Sequence, residues 1–125
     1  AANVVNGRDI VLNSDGTSVR TYTYVADAIA GMFYALLTGE ETAYNIADPN
    51  GFVSIRGLAE LFTQVQPEKG LRLIFTNEAD ARAYSEAKGQ GLDSSRLSGL
   101  GWAPRVSLPD GLSRMVTALA ATVAA

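Results

Sequence analysis

Apolar residues recur at helical spacing in three stretches of this chain and gather in short β-rich runs between them. From Val25 to Thr38, Val25, Ile29, Met32, Phe33, Leu36 and Leu37 form one stripe. Alanines and Gly31 fill much of the remainder, so the spacing predicts a helix covered on both sides. Asp27 falls in its first turn, where a carboxylate favours the positive end of the macrodipole, and Gly39 closes it. That placement explains Asp27 structurally, without a catalytic role. A second helix is predicted from Ile55, Leu58, Leu61, Phe62 and Val65, with Ser54 as its cap and Pro67 as its stop. Ser107 and Asp110, at capping-box spacing, open a third helix whose buried stripe is predicted at Leu108, Leu112, Met115, Leu119 and Val123.

The shorter elements follow from turn chemistry. Ala1 to Asn6 with Gly7 reads as the last turns of a helix. Ile10 to Asn13 and Val19 to Tyr24 read as two arms of a hairpin through Ser14-Asp15-Gly16-Thr17. Thr42 to Ala47 reads as a short buried strand ended by a type I turn at Asp48-Pro49-Asn50-Gly51, and Leu71 to Thr76 as another strand. A short helix is predicted over Glu78 to Ala83, with an extended path after it into Leu92. Asp93 caps a last short helix through Leu97 and Leu100, ended by Gly101, with Trp102 packed behind it. The fold class is α/β: a small helix-rich unit with a hairpin and short strands, its helices on one side of a small sheet.

At 125 residues the chain supports one core and reads as a single domain. The net charge is −3 and the basic residues are scattered, so no footprint for nucleic acid appears. Residues 1–66 carry seven acidic and three basic groups, and residues 67–125 six acidic and seven basic. This mild asymmetry fits an anionic ligand near the second half, or a solvated surface. The absence of cysteine excludes disulfides, thiolate nucleophiles and Cys-based zinc sites. The absence of histidine removes the commonest acid-base group and metal ligand. No apolar run approaches the roughly 20 residues that span a bilayer, and no signal segment opens the chain. A soluble, cytoplasmic protein is the expectation.

The stretch with most chemistry is Asp15 to Asp27. A strand's period of two puts Arg20, Tyr22 and Tyr24 on one side. An arginine held beside two rings is suited to grip a carboxylate or phosphate with paired N–H bonds. It is equally an ordinary strand-surface arginine, or one paired with Asp15 or Asp27.

Gly16-x-x-x-Arg20-x-Tyr22-x-Tyr24-Val25-x-Asp27 resembles a segment of the extended short-chain dehydrogenase/reductases that act on nucleotide sugars, the NAD-dependent sugar-nucleotide epimerase/dehydratase family. The resemblance continues at Tyr44-Asn45-Ile46, at Val53 to Glu60, at Asp93-Ser94-Ser95-Arg96-Leu97 and at Leu100-Gly101-Trp102-x-Pro104. It spans about Gly7 to Leu119 in the family's order and implies the C-terminal, substrate-binding part of a Rossmann-type enzyme. On that resemblance Arg20 contacts the diphosphate of a UDP- or dTDP-sugar, with Tyr22 and Tyr24 holding its guanidinium. Many members carry a second phosphate-binding arginine in Arg-Pro-Gly-Asp, which this chain replaces with Ala81-Arg82-Ala83-Tyr84-Ser85. Arg82 or Lys88 would serve instead, or both are surface charge.

Tyr84-Ser85-Glu86-Ala87-Lys88 matches the family's Tyr-x-x-x-Lys active-site pair, but it falls after the substrate-half landmarks and reads as accidental. Gly89-Gln90-Gly91 and Gly99-Leu100-Gly101 lack the strand-turn-helix context of a dinucleotide fingerprint. The resemblance therefore implies NAD in the full-length protein and none bound by this fragment. It also implies an absent N-terminal dinucleotide-binding half of roughly 180–200 residues. The leading expectation is the nucleotide-sugar-binding part of an epimerase or dehydratase, such as a dTDP-glucose 4,6-dehydratase, inactive when alone. The rival is a non-catalytic binding or interaction module on the same scaffold. Tyr44 to Ala47 is expected at the edge of the absent half's parallel sheet, leaving a fragment with an open strand edge and apolar helix faces that favour self-association.

Overall fold

A computed structural model describes residues 1–76 and 91–123. The first helix, α1 (Ala2–Val5), buries Val4 completely and leads into β1 (Ile10–Leu12). β2 (Val19–Thr21) and α2 (Val25–Thr38) follow, then β3 (Phe52–Ser54) running directly into α3 (Ile55–Gln64). A 3-10 turn at Pro67–Lys69 precedes β4 (Leu73–Phe75), α4 (Ser95–Gly99) and α5 (Leu108–Val123). The helix predicted at Glu78 to Ala83, and the extended path after it, lie outside the described residues up to Gly91.

The hairpin is not formed. β1 pairs in parallel with β4, with Ile10 opposite Leu73 and Leu12 opposite Phe75. β2 pairs antiparallel with β3, with Arg20 opposite Val53. The connection explains why. Asp15 Oδ1 accepts from the Thr17 amide and hydroxyl at 3.0 and 2.9 Å, making a local turn rather than a strand closure. The Gly16 carbonyl then accepts from the Arg56 amide and the Ser18 carbonyl from the Ile55 amide, each at 2.9 Å. The chain after β1 is thereby pinned to the start of α3, and the described strands form two separate two-stranded sheets instead of one. Gly16 has φ +69°, and a Cβ there would stand 2.9 Å from the Arg56 nitrogen, so both the turn and the close approach require glycine.

Two local expectations hold in detail. Ser54 Oγ accepts the Gly57 amide at 2.9 Å and caps α3. The Gly51 amide donates to the Asp48 carbonyl at 3.0 Å, closing the turn at 48–51. At α4 the cap shifts by one residue. Ser94 occupies the cap position with its hydroxyl donating to the Ala47 carbonyl at 2.8 Å, while Asp93 Oδ1 accepts the Ser95 amide.

The core consists of Val4, Ala47, Ala59, Leu97, Trp102, Leu112 and Val116. Along α5 the predicted stripe holds at Leu112, 6% exposed, but Val116 at 1% takes the inward place predicted for Met115, which is 43% exposed. α2 departs further. Its apolar stripe is exposed, and the buried residues are Asp27 and Gly31 on the opposite side. A Cβ on Gly31 would meet Ile46 at 2.9 Å, Leu97 at 3.2 Å and Trp102 at 3.3 Å, so the small-residue face lets the core approach the helix backbone.

Residues 42–47 form no strand. Among the described residues no backbone–backbone hydrogen bond involves 42–46, so the predicted strand has no ladder partner there. Side chains anchor the segment instead. The Tyr44 hydroxyl accepts the Glu40 and Glu41 amides at 3.0 and 3.1 Å, and Asn45 Nδ2 donates to the Asp93 carbonyl at 2.9 Å. Among the described residues no helix is long and apolar enough to cross a membrane, and no cluster of metal-ligating side chains occurs.

Candidate functional site

Arg20 lies on the exposed side of β2, between half-buried Val19 and Thr21. Its Nη1 donates to the Val19 carbonyl at 2.8 Å. Neither carboxylate suggested as its partner is engaged with it. Asp15 is turned to Thr17, whose amide and hydroxyl, with Arg56 nearby, hold the Asp15 carboxyl below its ordinary pKa. Asp27 is buried and its Oδ2 accepts the Arg105 and Val106 amides at 3.0 and 2.9 Å.

Beyond Thr21 the chain stays beside the turn at 48–51, the Tyr22 amide donating to the Gly51 carbonyl at 2.9 Å. A Cβ on Gly51 would collide with the Tyr22 carbonyl, so this register requires glycine. Tyr24 sits at the N-cap of α2 in extended conformation, φ −63° and ψ 139°. Its ring faces the opening of α5, whose Gly111 brings that helix close.

Between these segments lies a cleft of about 440 Å³, lined among others by Tyr22, Tyr24, Val25, Asp48, Leu108 and Met115. Arg114 sits at its rim with its guanidinium carbon 5.7 Å from the Tyr24 ring centroid. Asp110 Oδ2 accepts from Arg114 Nη2 at 2.9 Å, and this hydrogen bond raises the arginine pKa above its ordinary value. The expectation that Tyr22 and Tyr24 brace Arg20 is therefore corrected: among the described residues the cation over Tyr24 is Arg114, and Arg20 does not line the cleft. Sequence reasoning passed over Arg114. The signal was its spacing of four from Asp110 on a helix that opens beside the Tyr24 segment.

The two features differ in chemistry. An exposed guanidinium can take a phosphate or carboxylate on paired N–H donors. The cleft, mostly apolar with a cation and a carboxylate at its edges, can take one face of a ring. Asp48 belongs to the turn, its Oδ1 accepting the Asn50 amide at 2.8 Å and its own amide donating to Thr23 Oγ1 at 2.9 Å. Arg82, Lys88 and the Tyr84–Lys88 pair lie outside the described residues.

Comparison with known proteins agrees with this architecture. The sequence model of the NAD dependent epimerase/dehydratase family matches residues 1–47. UDP-D-apiose/UDP-D-xylose synthase 2 of Arabidopsis thaliana is 28% identical over 127 residues, covering 92% of this chain and 33% of the relative. UDP-glucose 4-epimerase of Thermotoga maritima, solved with UDP-glucose, overlays 97% of this chain with a TM-score of 0.80 at 23% identity, covering 38% of the epimerase. UDP-glucuronic acid 4-epimerase of Bacillus cereus, solved with UDP-glucuronic acid and NAD, overlays 94% with a TM-score of 0.71 at 26% identity, covering 38% of that chain. The fold is that of one part of these larger α/β enzymes. By family match, sequence relatives and fold, the chain is similar to one part of the NAD-dependent epimerase/dehydratase enzymes, spanning about a third of the length of the relatives it matches.

Proposed function

We propose that this chain is the nucleotide-sugar-binding part of an NAD-dependent nucleotide-sugar epimerase or dehydratase. The observation that carries the reading is the similarity over more than nine-tenths of the chain to proteins named for UDP-sugars, one of them solved with UDP-glucuronic acid and NAD. Bound NAD would supply the hydride chemistry, and this chain offers no dinucleotide fingerprint to hold it. The chain's own task is to seat the sugar nucleotide. Arg20 is the diphosphate ligand: its guanidinium is exposed on β2 and bonded, among the described residues, to its own strand's carbonyl. Arg82 and Lys88 stand as further phosphate ligands in this reading.

NMR-monitored titration of the chain with UDP-glucuronic acid and dTDP-glucose, which reads even millimolar affinities, tests it. A charge-assisted hydrogen bond contributes roughly 1.5–3 kcal/mol, so Arg20→Ala should weaken binding about ten- to a hundredfold. Arg20→Lys should recover only part, since an ammonium lacks the two-pronged fork. Equal affinities in the three proteins, or no binding by the wild type, would return Arg20 to an ordinary surface residue.

A further inference from the structure

The cleft against Tyr22 and Tyr24 contains one charge that no cation among the described residues engages. Asp48 is 4% exposed, and it lines this cleft of about 440 Å³. One of its oxygens, Oδ1, accepts the Asn50 amide at 2.8 Å and so serves the turn at 48–51. The other, Oδ2, makes no hydrogen bond or ion pair among the described residues. The described side-chain polar atoms that are sealed from solvent without a partner are Thr21 Oγ1 and Gln66 Oε1, so Asp48 Oδ2 is open to contact. The turn alone needs a single acceptor, which an asparagine would provide without burying a charge. A carboxylate withdrawn this far from water calls for a cation to meet it.

Arg114, the cation in the lining, does not supply it. Asp110 holds its guanidinium at 2.9 Å, and no ion pair joins it to Asp48. Of the two charged side chains in the lining, one is compensated and the other is not, so the cleft complements a single positive charge. The chemistry narrows the occupant further. One open oxygen suits the point charge of an ammonium better than the two-pronged fork of a guanidinium. Tyr22 and Tyr24 supply aromatic surface, which favours a cation, and Leu108, Leu112 and Met115 offer an apolar wall to the body that carries it. The volume lies in the range of small-molecule sites. We infer that this cleft binds a small primary amine with an apolar or aromatic body, its ammonium donating to Asp48 Oδ2. The inference goes beyond the nucleotide-sugar reading and uses neither Arg20 nor a nucleotide, so the two fail separately.

The chain has two methionines, Met115 in the cleft wall and Met32 on α2, so methyl-labelled methionine gives two NMR signals, a probe and an internal control. Phenethylamine, charged near neutral pH, is titrated against phenethyl alcohol, which has nearly the same shape and no charge. The Met115 signal should shift saturably with the amine while Met32 stays in place, and the alcohol should bind at least about tenfold more weakly. Asp48→Asn keeps an acceptor for the Asn50 amide and loses the charge, so it should bring the amine down to the affinity of the alcohol. The comparison of amine with alcohol in the wild type stands whether or not that variant folds. Equal affinities for the two in the wild type overturn the proposal, as does a Met115 signal unmoved at about 20 mM amine. Equal shifts of Met32 and Met115 overturn it too, since they mark adsorption on exposed apolar surface rather than the cleft. So does a folded Asp48→Asn that binds the amine as the wild type does.

Discussion

The Trp102 indole N–H donates a 3.0 Å hydrogen bond to the backbone carbonyl of Asp27, while Asp27 Oδ2 accepts the Arg105 and Val106 amides. One buried residue at the start of α2 thus fixes the loop from Trp102 into α5 and, with it, the wall of the cleft that α5 provides. The carboxylate's task here is connection between two elements far apart in sequence.

Asp27→Ala strands two amides that the carboxylate now satisfies. Bonds to a charged acceptor contribute roughly 1.5–3 kcal/mol each, and a buried unpaired donor adds to the loss. The expected destabilisation is about 3 kcal/mol, with Asp27→Asn losing about half as much because its side-chain oxygen still accepts. Urea unfolding monitored by Trp102 fluorescence measures it. A change below about 0.5 kcal/mol for the alanine variant would show that solvent satisfies those amides instead.

Gly31 and Gly99 both lie in helices and should respond oppositely to alanine. Alanine gains about 1 kcal/mol of helix propensity over glycine at an interior position. At Gly31 the added methyl meets Ile46, Leu97 and Trp102 at 2.9–3.3 Å, three side chains that cannot all withdraw. Overpacking of this kind costs roughly 1–3 kcal/mol, so the clash wins and Gly31→Ala should be destabilising by about 1 kcal/mol. At Gly99 nothing among the described residues lies within 4 Å of an added Cβ, so Gly99→Ala should stabilise by a few tenths of a kcal/mol. Thermal unfolding of the pair, with shifts of the same sign, would contradict this account.

What was legible in the sequence was local chemistry. The Ser54 cap, the turn at Asp48 to Gly51 and the β4 run each depend on residues within a few positions, and the structure keeps them. What was not legible was pairing. Ile10–Leu12 and Val19–Thr21 carry the pattern of two hairpin arms, but three-residue strands leave the partner to long-range contacts, and β4 and β3 won. The inward face of α2 was misjudged because hydrophobicity pointed to Phe33 and Leu36, whereas the contacts within this chain reward small size at Gly31. Arg20 was visible as a candidate through its motif. The cation over Tyr24 was not, because Arg114 reaches it from an element 90 residues along the chain.

The bond between Asp9 and Arg72 ties β1 to β4 and carries a pH signature. Asp9 Oδ2 accepts from Arg72 Nη2 at 2.7 Å and Nε at 3.1 Å, and Oδ1 accepts the Arg72 amide at 2.9 Å. These bonds hold the Asp9 carboxyl below its ordinary value of 3.8 in the folded chain. A depressed folded-state pKa gives stability that is fully present above the unfolded value and lost as pH falls through the folded one. The wild type should therefore exceed Asp9→Asn in Tm near neutral pH, with the difference shrinking as pH drops below about 4. A difference that stays constant down to acidic pH would assign the loss to packing rather than to charge.

The face that α5 turns inward can be tested at two adjacent residues. Val116 is 1% exposed and Met115 43%, although hydrophobic spacing alone favoured the methionine. Truncating Val116 to alanine removes two buried methyl groups at about 0.8 kcal/mol each and leaves a cavity, so Val116→Ala should cost about 2 kcal/mol. Met115→Ala removes a larger side chain, but much of it already contacts water and alanine is the better helix former, so its cost should stay below about 1 kcal/mol. Met115 also lines the cleft beside Tyr24, so its truncation widens that cleft without disturbing the core. Urea unfolding of the two variants decides the orientation. A larger loss at Met115 than at Val116 would mean that α5 is rotated in solution and that the cleft against Tyr22 and Tyr24 is closed.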